Sequence, residues 1–275
     1  MFVFGQSAFE VTVVSVTELL MNCFPSYWVL LLCLATIDYS GRPELVRVIE
    51  TNSTTSNKGD VISGMAVTYN DVFIVYRNSP VVCIFDSRTH RCTTRLTLED
   101  FVREVDLRDC VSVAGNVYIV NGIASEILRI DQNRDFLKWS TGDNLGCLSV
   151  SAQSTIVATC NCKTGALMEY SLQGRLNTRI KLCPTIVHPH QAIKLCNGHF
   201  VVCHGGYGDT VKRVCMINNA GGITKSFDRS SNISSSIYGL PVCLAVDENG
   251  NILVLDRSGV TSRVLLLSAE LEFSP

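Results

Sequence analysis

The fold of this chain is decided by the stretch Cys243-Leu244-Ala245-Val246-Asp247-Glu248-Asn249-Gly250-Asn251-Ile252-Leu253-Val254-Leu255. Two apolar runs flank a polar turn, and an Asn-Gly pair between apolar runs is a strong signal for a β-hairpin. A third apolar run follows at residues 264–267. The stretch therefore predicts three antiparallel strands, at residues 243–246, 252–255 and 264–267, with a loop at 256–262.

The first run of this stretch recurs along the chain. Its earlier copies read Gly64-Met65-Ala66-Val67, Cys110-Val111-Ser112-Val113, Cys147-Leu148-Ser149-Val150 and Ala192-Ile193-Lys194-Leu195. Each copy leads into a polar turn and two further apolar runs, and the first four copies add a weaker fourth segment. Strand-only repeats about 37 to 51 residues apart are typical of propeller blades. The sequence predicts an all-β fold, a β-propeller of four-stranded antiparallel blades with five blades visible.

The first strand of each blade is expected to lie nearest the propeller axis, where space is short. The residues that open it are small: Gly64, Cys110, Cys147, Ala192 and Cys243. We interpret them as close packing rather than as a metal site. The third strands end in aligned polar residues, which are Asp86, Asp131, Ser171, Asn218 and Ser268.

Composition agrees with many buried strands. The chain has 275 residues, of which 47% are hydrophobic and only 17% are charged. Its formal net charge of -2 gives no global attraction to nucleic acid or to anionic membranes. Residues 98–107 have apolar side chains at helical spacing and predict either one helical turn or a strand extension.

Thirteen cysteines are present, an odd number. Many lie in apolar runs, where a reduced cysteine behaves as a small hydrophobic residue. Cys83 and Cys92 differ, because a two-residue turn at Ser87-Arg88 would place them opposite each other across a hairpin. Whether they are bonded is left open, and the other cysteines lack the spacing of a secreted disulfide scaffold.

The N-terminal segment has a different character from the rest. We assign residues 1–42 to an apolar extension and residues 43–275 to the propeller. Residues 28–35 resemble the apolar core of a signal peptide, but they are too short for a membrane span, and no Lys or Arg precedes them. We predict a cytoplasmic protein with a poorly ordered or non-native extension. The alternative is secretion or membrane anchoring through residues 23–37, which would make the sequons at Asn52 and Asn232 usable.

The modules resemble the repeats of NHL-repeat β-propellers. The residues that carry the match are Pro241, Ala245-Val246-Asp247, Asn249-Gly250, Asp256 and Arg263-Val264. Residues 198–215 look like the preceding repeat, although His204 stands where the family has Asp, and the loop after Asp256 is longer than usual. The resemblance covers about residues 45–273, and it implies a relation to six-bladed propellers.

Ring closure is the point at which the chain departs from that family, because only five blades are visible. Residues 45–50 precede the first blade in the position of an outer strand. We expect them to pair with residues 264–267 and so to cover edges that would otherwise promote aggregation. A five-bladed ring and a truncated relative of six-bladed proteins are the two alternatives.

The turns between second and third strands and the connections between blades share one end of such a propeller, called the loop face below. Variable loops on a rigid scaffold commonly carry recognition. The residues predicted to contact a protein partner there are Arg77, Asn78, Asn121, Lys163, His190, His204, Tyr207, Asp256 and Arg257.

One cluster on this face resembles a set of metal ligands: His188, His190, His204 and Asp209. No further carboxylate stands in a position to act as a base, and histidine beside proline is common in polar loops. We therefore predict no metal site, no cofactor and no catalytic residue.

The resemblance implies protein binding, in some relatives as the substrate-recognition part of a ubiquitin ligase. This chain lacks the Cys/His spacing of RING and B-box domains. We predict a non-catalytic protein-interaction scaffold, with no nucleic-acid partner, no stable membrane span and an open oligomeric state. A propeller enzyme of lactonase or amidating-lyase type, with a metal in its channel, and an RNA-binding propeller are the alternatives. The small or apolar inner positions and the lack of clustered Lys and Arg count against them.

Overall fold

The computed structural model describes residues 2–4, 11–14, 29–35, 47–50 and 61–272, except residues 161–164, 207–208, 210, 228–238, 248 and 259–260. Its regular elements are β-strands, which form six antiparallel sheets, five of four strands and one of three. No helix in these residues is long and apolar enough to cross a membrane. Asn52 and Asn232 lie outside the described residues.

Each sheet is built from strands that are consecutive in the chain. The N-terminal sheet contains β1 (Phe2–Phe4), β2 (Val11–Val14), β3 (Val29–Ala35) and β4 (Arg47–Glu50). Blade one contains β5 (Ile62–Val67), β6 (Asp71–Tyr76), β7 (Val81–Asp86) and β8 (Cys92–Thr97). Blade two contains β9 (Leu107–Val113), β10 (Asn116–Asn121), β11 (Glu126–Ile130) and β12 (Phe136–Ser140). Blade three contains β13 (Leu145–Val150), β14 (Ile156–Cys160), β15 (Ala166–Tyr170) and β16 (Leu176–Lys181). Blade four contains β17 (Pro189–Lys194), β18 (Phe200–His204), β19 (Arg213–Ile217) and β20 (Ile223–Phe227). Blade five contains β21 (Leu240–Val246), β22 (Ile252–Ser258) and β23 (Thr261–Leu267).

The first strands of the sheets lie side by side around a common axis. Each of β5, β9, β13 and β17 contacts the first strand of the next blade, and β1 contacts both β5 and β21. This arrangement confirms the predicted propeller of antiparallel blades, and among the described residues four of the five predicted blades have four strands and blade five has three.

The predicted closure by residues 45–50 is wrong in its pairing. Arg47–Glu50 pairs with β3, with Val29 opposite Glu50, and not with residues 264–267. The reason is that the N-terminal segment supplies three strands of its own, and β4 completes their sheet as the fourth. The sequence pattern indicated only the last strand of this sheet, because the strands lack the repeated phrase.

Four of the five hydrophobic cores among the described residues lie between neighbouring blades, and the fifth is formed by blade one. On β10, Val117 and Ile119 pack into the core shared with blade one, whereas Tyr118 and Val120 pack into the core shared with blade three. Successive side chains of a strand point to opposite faces, so a strand buried on both faces reads as a continuous apolar run. This explains the very apolar second strand of every module.

Gly64 confirms the prediction of close packing near the axis. A Cβ atom at this position would lie 2.6 Å from the backbone nitrogen of Cys110 on the neighbouring blade. Any larger side chain would have to push β5 and β9 apart.

The polar residues at the ends of the third strands close the turns that follow. Asp131 Oδ1 accepts hydrogen bonds from the backbone N–H groups of Asn133 (2.8 Å) and Asp135 (2.9 Å). The four equivalent residues, Asp86, Ser171, Asn218 and Ser268, also accept two backbone N–H groups each. A short side chain bearing an oxygen is the shared requirement of these turns.

Two local predictions need correction, and one is confirmed. The loop at 256–262 is shorter than predicted, because β22 continues to Ser258 and β23 begins at Thr261. Cys83 lies opposite Arg95 and Cys92 opposite Phe85, since the turn spans more than two residues, and both cysteines are free thiols. Residues 98–107 contain the predicted single helical turn, closed by Val102 N–H donating to Leu98 O (2.9 Å).

Candidate functional site

A chain of ion pairs and hydrogen bonds runs across the loop face from blade one to blade three. Asp106 accepts a hydrogen bond from Arg77 Nε (3.0 Å) through one oxygen and from Arg108 Nε (2.7 Å) through the other. Arg108 then reaches the next connection, where it donates to Asn144 Oδ1 and to Leu145 O (2.9 Å). A single acidic side chain thus joins two blades, and Arg108 carries the contact to a third.

The connection between blades two and three, which contains Asn144, also carries a second ion pair. Arg179 donates to both carboxylate oxygens of Asp143, at 2.6 and 3.1 Å. A two-pronged contact of this kind fixes the relative orientation of both groups. The connection between blades two and three is therefore held at two adjacent positions, Asp143 and Asn144.

The geometry around Asp106 depends on a glycine and on its charged neighbours. A Cβ atom at Gly122 would lie 2.2 Å from Arg108 Cζ, so a larger residue here would displace the guanidinium from its observed position. Burial alone would raise the pKa of Asp106, but hydrogen bonds from Arg108 and Arg77 lower it below its ordinary value. Asp106 is therefore ionised at neutral pH.

The side chain of Asn121 holds the connection between blades one and two, which contains Asp106. It is fully buried, its Oδ1 accepts the N–H of Asp106 (3.0 Å), and its Nδ2 donates to Glu104 O (2.7 Å). The side chain replaces backbone partners that the irregular segment would otherwise lack. Asn121 shapes the loop face without reaching its surface.

The histidine cluster is brought together on the loop face of blade four. His188 Nδ1 lies 3.0 Å from Asp209 Oδ2, and His190 Nε2 lies 2.6 Å from Gly205 O. His204 is buried, with its Nε2 atom 3.4 Å from Cys215 Sγ. No set of three or more His, Cys, Asp or Glu side chains among the described residues is placed to hold a metal ion.

Protonation in this cluster follows from burial and hydrogen bonding. Burial lowers the pKa of His204 to about 4, with the Arg213 charge adding to the effect, and burial also lowers the pKa of His190. Hydrogen bonds from His188 and from the Gly206 N–H lower the pKa of Asp209. At neutral pH the cluster therefore holds a neutral His204 and an ionised Asp209.

The predicted partner-binding residues have different surroundings. Arg77, Asn78 and Arg257 are exposed, and His190 is half-buried. Asn121, His204 and Asp256 are buried, and Asp256 Oδ1 accepts the N–H of Gly239 (3.1 Å). Lys163 and Tyr207 lie outside the described residues. Three of the nine positions thus support the loops rather than face solvent.

A cavity of about 1260 Å³ occupies the centre of the propeller. It is lined by the first strands of blades one to five and by the turns at the end opposite the loop face, called the turn face below. The prediction that the inner positions are small or apolar is incomplete, because Asp109, Gln191 and Lys194 also line this channel. Each of these three stands next to a residue of the repeated phrase or within it.

Polar side chains connect the exposed edges of the first strands. Asp109 Oδ2 accepts the N–H of Leu148 (2.9 Å), and Gln191 Oε1 accepts the N–H of Leu244 (2.6 Å). Gln191 Nε2 also donates to Leu148 O (3.2 Å). An edge strand presents unpaired backbone groups, and these side chains satisfy some of them across blade boundaries. Burial raises the pKa of Asp109 to about 7.

Sequence reasoning missed Asp106, Arg108, Asp109 and Gln191. A signal existed for the last two, because each directly precedes a copy of the repeated phrase. No local pattern identifies Asp106 or Arg108, since their partners Arg77 and Asn144 are distant in sequence.

No protein-family model matches the chain, and no curated protein matches it in sequence. Solved structures do match. A protein of unknown function from Bacteroides caccae aligns with a TM-score of 0.64 and 14% identity, covering 99% of this chain and 90% of that one. Virginiamycin B lyase from Staphylococcus aureus aligns with a TM-score of 0.61 and 13% identity, over 80% of this chain and 70% of the lyase. A luciferin-regenerating enzyme aligns with a TM-score of 0.57 and 12% identity, over 78% and 75%.

These likenesses and the sheet arrangement define the class of the protein as a β-propeller. At such low identity they show the fold alone, because one fold hosts many unrelated functions.

Proposed function

We propose that this protein is a non-catalytic interaction scaffold that binds protein partners through its loop face. The observation that carries the proposal is the chain of ion pairs through Asp106 and Arg108, which fixes the connections of three blades in one arrangement. A surface ordered before binding loses little conformational entropy when a partner docks. Recognition by loops on a rigid scaffold follows the same logic.

Exposed apolar side chains support the choice of this face. Ile123 is 55% exposed and Val61 is 45% exposed, and both lie beside the ordered connections. Aliphatic side chains in a polar surround are the usual composition of a protein-binding patch. In the channel, by contrast, Asp109 and Gln191 bind neighbouring backbone and Lys194 pairs with Glu169, which supports a structural role for these polar groups.

We further propose that the propeller is of NHL type. The support is the fifth blade, where Asp247 Oδ1 accepts the N–H groups of Asn249 (2.9 Å) and Asn251 (2.7 Å). These hydrogen bonds close the turn, which is a structural role for the Asp and the Asn-Gly pair of the NHL-like pattern.

The experiment compares two single variants of the tagged full-length chain by quantitative affinity purification. Ile123→Asp places a charge on the loop face, and Tyr69→Asp places one on the turn face, where Tyr69 is 81% exposed. We expect proteins that co-purify with the wild type and with Tyr69→Asp to be lost with Ile123→Asp. If both variants retain the same proteins, or if only Tyr69→Asp loses them, the loop-face proposal fails.

A further inference from the structure

Arg77 presents an oriented guanidinium group whose two terminal nitrogens have no partner among the described residues. Its Nε atom donates to Asp106 Oδ1 (3.0 Å), and its side chain is 55% exposed. Arg108 occupies the other oxygen of the same carboxylate. Asp106 thus fixes the direction of the Arg77 side chain and leaves its terminal N–H donors facing outward.

Two exposed aliphatic residues flank this group. The N–H of Arg77 donates to Val61 O (2.8 Å), and the N–H of Gly122 donates to Asp106 O (2.9 Å). Because Ile123 directly follows Gly122, these backbone hydrogen bonds place Val61 beside Arg77 and Ile123 close to Asp106. The result is an exposed guanidinium group with an exposed apolar residue near each end of the ion pair.

The local charge is positive. Arg77 and Arg108 contribute two positive charges and Asp106 one negative charge, which leaves a net charge of +1 at this cluster. The planar guanidinium matches the two oxygens of a carboxylate, and such two-pronged contacts are among the stronger hydrogen bonds in proteins. Charge complementarity therefore favours an acidic ligand with apolar neighbours.

We propose that this part of the loop face binds an extended acidic segment of a partner protein. An Asp or Glu carboxylate of the partner takes the terminal nitrogens of Arg77, and an adjacent aliphatic side chain packs on Ile123 or Val61. This inference rests on the proposed function and narrows the class of partner.

The test uses fluorescein-labelled peptide libraries and the full chain, read by fluorescence polarisation. One library has Asp at its centre and the other has Asn, with Leu, Ile, Val, Ser or Gly at the flanking positions. We expect the Asp library to bind at least about tenfold more tightly, a difference of about 1.4 kcal/mol. Its affinity should fall as salt rises.

The variants assign the effect to Arg77. Arg77→Gln should lower the affinity for the Asp library to that of the Asn library. Arg77→Lys should retain part of the preference for Asp, because an ammonium group keeps the positive charge but cannot make the two-pronged contact. Arg88→Gln, an exposed arginine on the turn face, is the matched control and should bind like the wild type. Thermal unfolding of each variant checks that the fold is intact.

Several results would overturn the inference. These are equal binding of the Asp and Asn libraries, no binding of either, no effect of Arg77→Gln, or binding of a phosphoserine library with none of the Asp library. If natural partners lost with Ile123→Asp persist with Arg77→Gln, the interaction face stands and the acidic-segment inference falls. If neither variant loses a partner, the proposed function itself falls.

Discussion

At the residue scale, the buried carboxyl group of Asp109 links two neighbouring blades of the propeller. Its two oxygens accept the N–H groups of Cys110 (2.8 Å) and Leu148 (2.9 Å), which joins the first strands of blades two and three. Burial disfavours its charged form, so its pKa is raised to about 7 in the folded protein, against about 3.9 in an unfolded chain. The folded state therefore binds the proton more tightly than the unfolded state.

The linked prediction concerns stability between pH 4 and pH 7. Because the folded pKa lies above the unfolded one, the contribution of Asp109 to the free energy of unfolding falls as pH rises through this window and is constant above it. A shift of about three pKa units corresponds to roughly 4 kcal/mol. Asp109→Asn removes this dependence and leaves one N–H without its acceptor.

Urea unfolding under reducing conditions at pH 4.5, 5.5, 6.5 and 7.5 measures this effect. We expect the stability advantage of the wild type over Asp109→Asn to shrink as pH rises, and the exposed Asp100→Asn control to show no such trend. A constant difference between wild type and Asp109→Asn across this range would contradict the prediction.

At the element scale, one buried polar network joins blade three to blade four near the turn face. Lys194 Nζ on β17 donates to both carboxylate oxygens of Glu169 on β15, at 2.8 and 2.9 Å. Thr155 donates to Glu169 as well, and its hydroxyl lies 2.6 Å from Ser151 Oγ. Few solvent molecules reach the pair, since the side chains are 18% and 9% exposed.

Removing one member of this pair leaves the other charge buried without its partner. We expect Lys194→Met and Glu169→Met each to lower the free energy of unfolding by about 3 kcal/mol, and the double variant to cost much less than the sum. A double-mutant cycle by urea unfolding measures the coupling. The exposed pair Lys225–Glu270 is the control and should couple far more weakly. Additive costs at Lys194 and Glu169 would show that the two do not interact.

The elements also show which parts of the fold the sequence predicts. The sequence predicts the hairpin turns, because a pair such as Asn249-Gly250 reflects local backbone geometry. It also predicts the apolar second strands, because a run such as that of β10 reflects burial on two faces. The N-terminal sheet was not readable, because its strands carry no copy of the repeated phrase. The Asp106 cluster was equally hidden, since Arg77 and Asp106 are 29 residues apart in the chain.

At the scale of the whole molecule, stability is shared between blades. Four of the five cores among the described residues contain residues of two adjacent blades, as Ile84 of blade one and Ile119 of blade two illustrate. Opening blade two, three or four therefore exposes two shared cores, and we expect the blades to unfold together. Fourth strands contribute little to these shared cores, because β8 and β16 are almost entirely exposed.

Native-state hydrogen exchange tests this distribution of stability. We expect the slowest amides in β10, β14 and β18, with similar protection in all three, because global unfolding is needed to expose them. Amides of β8 and β16 should exchange much faster through local opening. Slow amides confined to a single blade would instead mean that the blades open independently.

The turns that follow the third strands show how chains of very different sequence can share this fold. Aspartate, asparagine and serine all perform the same task at these five positions. Natural selection can therefore exchange them at no cost to the turn, and the apolar residues between them are as interchangeable as their volumes allow. A propeller of this kind can therefore keep its geometry while most of its residues change, which is how structures at 12 to 14% identity can share one fold.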